Sequence, residues 1–144
     1  MKRLLVIGSI LLALAVAGCD LFGTEDTSIY VWGMIYADPD YTEPLEGATV
    51  YLRGDSATVY STSVQTNADG RFFIEAKVYP TVGDGEGGTG YSTNEFAWFG
   101  LDAEYHGAIY MWASLEDNPF YLGIGDTLRV ADIWLGEGSG GKGR

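Results

Sequence analysis

"GATVYLRG", residues 47–54, sets Ala48, Val50 and Leu52 against Thr49, Tyr51 and Arg53. Successive side chains of an extended chain point to opposite faces, so this alternation describes a strand with one buried face and one wet face. The same period spreads outward from it. "SIYVWGMIYA" (28–37) is dense in β-branched and aromatic residues, "ATVYSTSVQT" (57–66) alternates with polar ones, and "RFFIEAKVY" (71–79) follows the turn "NADG". "AIYMWA" (108–113) and "TLRVADIWL" (127–135) complete the set. No segment after residue 20 sustains a helical 3.6-residue period.

One stretch admits two readings. "STNEFAWFGLDAEYHG" (92–107) is a strand through Phe96 to Leu101, or a helix opened by the capping-box spacing of Ser92 and Glu95 and closed by Gly107. Gly100 and the crowded aromatics favour the strand. The expected fold is all-β: a single Greek-key β-sandwich of about seven strands over residues 28–136, with a Gly-rich loop at 80–94 and a flexible Gly-rich tail at 137–144. A little over a hundred residues suffice for such a core.

Residues 29–79 carry more than periodicity. "GMIYADPDYTEPLEGATVYLRG" followed by "TSVQTNADGRFFIEA" is similar to the carboxypeptidase regulatory-like domains, through Pro44, Leu45, Gly47, Ala48, Val50, Leu52, Thr66, Asp69, Gly70 and Phe72. The resemblance implies a transthyretin-like sandwich and an accessory, non-catalytic role. It covers about fifty residues and fades after Tyr79, where "PTVGDGEGGTGYSTN" intervenes. The residues themselves agree with it. Ala48, Val50 and Leu52 fill a core, and Asp69-Gly70 supplies the positive-φ turn of a hairpin.

The amino-terminal region reads differently. Lys2 and Arg3 precede an almost wholly apolar run, Leu4 to Val16, and then the small residues Ala17 and Gly18. As a helix that run spans about 20 Å, short of the ~30 Å hydrocarbon core, so residues 1–18 are expected to be a cleaved signal peptide. Cys19 is the single cysteine and His106 the single histidine. A disulfide or a multi-ligand zinc site therefore has no basis. "VAGC" (16–19) resembles the lipobox of bacterial lipoproteins. That resemblance implies diacylglycerol on the Cys19 thiol, cleavage before it and acylation of the new amino terminus. The other reading is an ordinary signal peptide with an incidental cysteine. Several acyl chains anchor a protein stably where one does not. The expected location is a bacterial membrane, with the domain facing periplasm or cell exterior. In one sorting system Asp20 would favour the inner membrane, a rule that other bacterial groups ignore, so either membrane stays open.

Charge narrows the partners. The precursor carries −12, and loss of Lys2 and Arg3 makes it −14. Such a chain repels anionic lipid and argues against nucleic-acid binding. The tether, residues 19–27, has a coil dimension of roughly 15 Å, which holds the domain close to the lipid surface.

Most chemical motifs fall away on inspection. "GEGGTG" (85–90) matches G-x-G-x-x-G, but a phosphate cradle also needs a βαβ unit, which the pattern does not supply. "GEGSGGK" (136–142) has Gly143 where a P-loop needs Ser or Thr. "RGDS" (53–56) matches the integrin-binding tripeptide and is also ordinary hairpin chemistry. His106 has no G-x-S-x-G elbow to serve, and carboxylate pairs are too numerous to signify. "ADPDYTE" (37–43) with Asp55 or Asp69 offers oxygen ligands without a calcium-loop spacing, so calcium is kept open and unsupported. No catalytic residue, metal ligand or cofactor is assigned beyond the lipid on Cys19.

The aromatics remain. In 28–36 and 108–113 both faces are apolar, and a sandwich buries one of them. Trp32, Trp98, Tyr110 and Trp112 are the candidate ligand-contacting side chains, to stack on sugars or anchor a protein. Cross-strand pairing on a solvent face is the plainer account of them. Two functions are expected of the chain. One is a non-enzymatic envelope lipoprotein whose sandwich is a structural or protein-interaction module. The other is a carbohydrate-binding surface lipoprotein. An exposed aromatic strip favours the second, and aromatics buried between the sheets favour the first.

Overall fold

The computed structural model describes residues 27–82, 91–93, 95–136 and 142–143. The signal peptide, Cys19, most of the tether, "GEGGTG" and most of the tail lie outside the described residues. Every regular element described is a strand, and the strands form a β-sandwich.

β1 (Ser28–Tyr36) is the spine of the first sheet. One edge pairs antiparallel with β4 (Arg71–Lys77), from Ser28↔Lys77 to Met34↔Arg71. The other edge pairs in parallel with β10 (Thr127–Arg129) and then with β11 (Ile133–Trp134). In the second sheet β2 (Thr49–Gly54) lies between β3 (Thr62–Gln65) and β7 (Phe96–Tyr105). The free edge of β7 takes β9 (Phe120–Gly123) along its first half and β8 (Ala108–Ala113) along its second. β5 (Pro80–Val82) and β6 (Tyr91–Thr93) make a separate ribbon, and β12 (Lys142–Gly143) pairs with β11.

Alternation decides what is buried. Ile29, Val31 and Ile35 of β1 and Phe72, Ile74 and Ala76 of β4 meet Val50 and Leu52 of β2 and Ala97, Phe99, Leu101 and Ala103 of β7. Tyr30, Trp32, Phe73, Glu75, Phe96 and Trp98 occupy the complementary positions and point away. The face assigned to Ala48, Val50 and Leu52 is buried as expected.

Thr66 ties the β1–β2 connection to the β3–β4 turn, its backbone through Gly47 N and Ala48 O and its hydroxyl through two further bonds. Thr66 Oγ1 donates to Leu45 O at 2.6 Å and accepts from Ala48 N at 3.0 Å, both bonds buried. Gly70 closes that turn at φ +70°, and a Cβ there would stand 2.4 Å from Ile35 O, so both conformation and space require glycine.

Several boundaries differ from the sequence reading. Residues 92–107 contain a ten-residue strand, Phe96–Tyr105, which displaces the helical alternative. It ends in a two-residue turn in which His106 (φ 47°) and Gly107 (φ 84°) both take the left-handed conformation, as a type I′ hairpin demands. The expected strand 127–135 is two strands. Between them three residues, Val130 to Asp132, face only Gly33 and Met34 of β1, so the register slips by one, and Ala131 O accepts from Trp112 Nε1 at 2.9 Å. The expected strand 57–66 shortens to Thr62–Gln65, because the chain turns through Asp55, which accepts from Thr58 N and Val59 N. β9 was not anticipated, since "FYLG" is short and shows no alternation of polarity.

Candidate functional site

The outer face of the first sheet carries a groove of about 450 Å³ lined by Trp32, Asn67, Arg71, Phe72, Phe73 and Thr127. Register explains its composition. Trp32 stands opposite Phe73 on one side and Arg129 on the other, and Tyr30 stands opposite Thr127. The Phe73 ring is 58% exposed and stacks on Tyr30 at 5.9 Å between centroids. The Arg129 guanidinium lies 5.2 Å from the Trp32 ring centre and is held by Asp132 at 3.0 Å. Asn67 shapes one end: its Oδ1 accepts from Asp69 N and Arg71 N, each at 3.0 Å. The groove thus has an aromatic floor and polar, partly cationic edges. It offers stacking and hydrogen bonding to a planar or ring-shaped group.

The outer face of the second sheet is built differently. Phe96, Trp98 and Tyr121 form a contiguous exposed strip, with Phe96 stacked on Tyr121 at 4.6 Å and Trp98 edge-on to Tyr121 at 5.5 Å. Ile109 and Met111 are also exposed on this face. In its middle Arg53 makes a bidentate pair with Asp102, Nε to Oδ1 at 2.5 Å and Nη2 to Oδ2 at 2.9 Å. Asp102 is buried, and its hydrogen bonds raise the Arg53 pKa above the usual guanidinium value.

The four aromatics singled out from sequence do not converge. Trp32 and Trp98 point outward from different sheets. Tyr110 and Trp112 turn inward instead and pack half-buried against the core, leaving Ile109 and Met111 outside. Phe72 and Trp112 meet at 5.7 Å, and Tyr110 meets Trp112 at 5.3 Å. Sequence reading passed over Phe73, Phe96, Tyr121, Arg71 and Arg129. For Phe73 the signal was present, because Phe72 and Phe73 are adjacent in a strand and one of them has to point out.

The remaining motifs find structural employment. In "RGDS" Arg53 is bound to Asp102, and Asp55 Oδ1 accepts from Ala57 N at 2.8 Å, so both charged groups serve the fold. Asp38 accepts from Thr42 N, Glu43 N and Thr42 Oγ1 at 2.7–2.9 Å. Those bonds, the Glu43 amide first, hold its carboxyl below the usual carboxylate range. Among the described residues no group of three or more His, Cys, Asp or Glu side chains is placed to hold a metal ion. His106 is exposed and stacks on Tyr105 at 4.1 Å. Comparison with protein-family models and with curated proteins returns no match for this chain.

Proposed function

We propose that this chain is a non-enzymatic cell-envelope lipoprotein, exported and held on a bacterial membrane by acyl chains on Cys19. Its sandwich serves as a structural or protein-interaction module, related in its first half to carboxypeptidase regulatory-like domains. The observation that carries the module reading is the outer face of the first sheet. Tyr30, Phe73, Arg71 and Arg129 gather there around Trp32. Trp, Tyr and Arg are the residues that dominate binding energy at protein interfaces. Arg129 is paired with Asp132 and Lys77 with Glu75, so the face is close to charge-balanced and suits a neutral or weakly acidic partner.

Carbohydrate binding is the second reading: by the criterion set from the sequence the exposed strip of Phe96, Trp98 and Tyr121 and the groove favour it, while Tyr110 and Trp112, packed against the core, favour the module. An aromatic floor edged by Asn67, Arg71 and Thr127 is a chemistry that stacks on a sugar face and bonds its hydroxyls. One experiment separates the two. A photocrosslinking residue is placed at Phe73, and at Ser63 on the other sheet as control, in the full chain in cells. Protein-interaction predicts a discrete adduct at position 73 that Trp32→Ala abolishes and that position 63 never gives. No adduct, with saturable tryptophan quenching by a polysaccharide that Trp32→Ala removes, transfers the assignment to glycan binding. Absence of both an adduct and quenching rejects both readings.

A further inference from the structure

The chain enters the sandwich at Ser28, and a web of hydrogen bonds defines what surrounds that entry point. Gly125 N donates to Ser28 O at 2.8 Å, Val78 N to Thr27 O at 2.8 Å, and Ile124 N to Glu95 O at 3.1 Å. Ser28 is buried and locked by its side chain as well, accepting from Lys77 Nζ and donating to Glu75. The start of β7, the end of β9 and the end of β4 therefore lie together at the end where the tether emerges.

Exposed aromatic side chains gather at this same end. Phe96, Trp98 and Tyr121 sit on the first residues of β7 and on β9, 41%, 47% and 56% exposed. Beside them Tyr60, 45% exposed, packs on Tyr79 with ring centres 3.7 Å apart. Tyr60 N bonds Lys77 O, Tyr79 N bonds Thr58 O, and the Thr58 hydroxyl accepts from Trp98 N, which links the pair to the strip. The opposite end, made of the β1–β2 connection, the β3–β4 turn and the end of β7, presents Asp38, Asp40, Glu43, Glu46, Asp69 and Glu104. The exposed aromatics of the second sheet thus gather where the chain enters, whereas the rings at the far end, Tyr36, Tyr41 and Tyr105, are half-buried.

Eight residues, Asp20 to Thr27, separate Cys19 from Ser28. Fully extended they reach about 30 Å, and as a coil roughly half of that. An anchor on Cys19 thus keeps the aromatic end over the headgroups at high effective concentration. Tryptophan and tyrosine partition to the membrane–water interface, where an apolar ring and a polar edge are both satisfied. We propose that Phe96, Trp98 and Tyr121, with Tyr60 and Tyr79 beside them, form a lipid-contact surface that seats the domain on its own membrane. The acidic end and the groove of the first sheet then face outward. Asp55, Glu95 and Asp126 also lie at the aromatic end, so the matching lipid surface is zwitterionic rather than anionic. This inference rests on the lipid-anchor reading given above.

The test uses the full chain, processed in cells and reconstituted in phosphatidylcholine vesicles with and without acyl chains brominated near the headgroup. Bromine quenches tryptophan at contact. One of four tryptophans is placed at the bilayer, so up to about a quarter of the emission is expected to be lost. The loss should persist in Trp32→Phe, vanish in Trp98→Phe, and vanish in Tyr121→Glu, whose ring is exposed enough for the fold to tolerate the change. Metabolic acyl labelling, compared with Cys19→Ala, is read in parallel. A labelled chain with unquenched Trp98 overturns the lipid contact and leaves the anchor standing. An unlabelled chain overturns both. A photocrosslinker at Tyr121 that captures protein rather than lipid in native membranes also overturns it.

Discussion

Thr66→Val removes one oxygen atom and nearly preserves shape, so it isolates what the hydroxyl does. Two buried bonds are lost, Oγ1 to Leu45 O and Ala48 N to Oγ1. Each bond contributes about 0.5–1.5 kcal/mol net, and a buried partner left without its bond costs about 1–3 kcal/mol. The added apolar methyl recovers part of this, up to about 0.8 kcal/mol. A loss of roughly 2–4 kcal/mol is expected, a large share of the 5–15 kcal/mol typical of a domain. The melting temperature should fall by about 10 °C, at roughly 4 °C per kcal/mol for a domain of this size. Thr66→Ser keeps both bonds and loses one buried methyl, about 1 kcal/mol. Urea unfolding followed by tryptophan emission measures all three proteins. If Val matches wild type within 0.5 kcal/mol, or Ser is as damaging as Val, the tie between the β1–β2 connection and the β3–β4 turn is not what the Thr66 hydroxyl provides.

Three further expectations can be checked alongside. His106 holds φ 47° in a type I′ turn, a conformation that asparagine or glycine adopts more readily, so His106→Asn should raise the unfolding free energy by about 0.5–1 kcal/mol, seen as a higher urea midpoint at unchanged slope. A lower midpoint would show that its stacking on Tyr105 outweighs backbone strain. Arg53 has a side chain 59% exposed and Asp102 one only 8% exposed, so Arg53→Ala strands a buried carboxylate whereas Asp102→Asn leaves an arginine free to turn to water. The first should cost about 1–3 kcal/mol and the second under about 1 kcal/mol after solvent screening, and the reverse order would refute the assignment. Asp38 has a lowered pKa, so its ionised form is favoured by the fold. The stability it adds is present above the ordinary carboxylate pKa and is lost as pH falls through the lowered value. Exchange protection of the Thr42 and Glu43 amides should disappear over that acid range, and Asp38→Asn should weaken it at neutral pH and abolish its acid dependence.

Period-two alternation with turn residues between was enough to define β2 and β4, and β-branched and aromatic density to define β1 and β8 and the all-β class. Gly70 was legible for the same local reason: a tight turn with positive φ excludes most other residues. What the sequence left open lay wherever both faces were apolar. In "AIYMWA" either set satisfies alternation, and only contact with Phe72 and Ala131 turns Tyr110 and Trp112 inward and exposes Ile109 and Met111. The break in 127–135 is tertiary as well, since a one-residue slip of register against β1 carries no signature among its own neighbours. The candidate surfaces are likewise tertiary. Trp32, Phe73 and Arg129 come from three strands, and the clustering of Phe96, Tyr121 and Tyr60 at the end where the tether enters follows from pairings between residues far apart in the chain. Local periodicity determined the elements and their class. Long-range register, which no local pattern encodes, decided which side chains meet and which face outward.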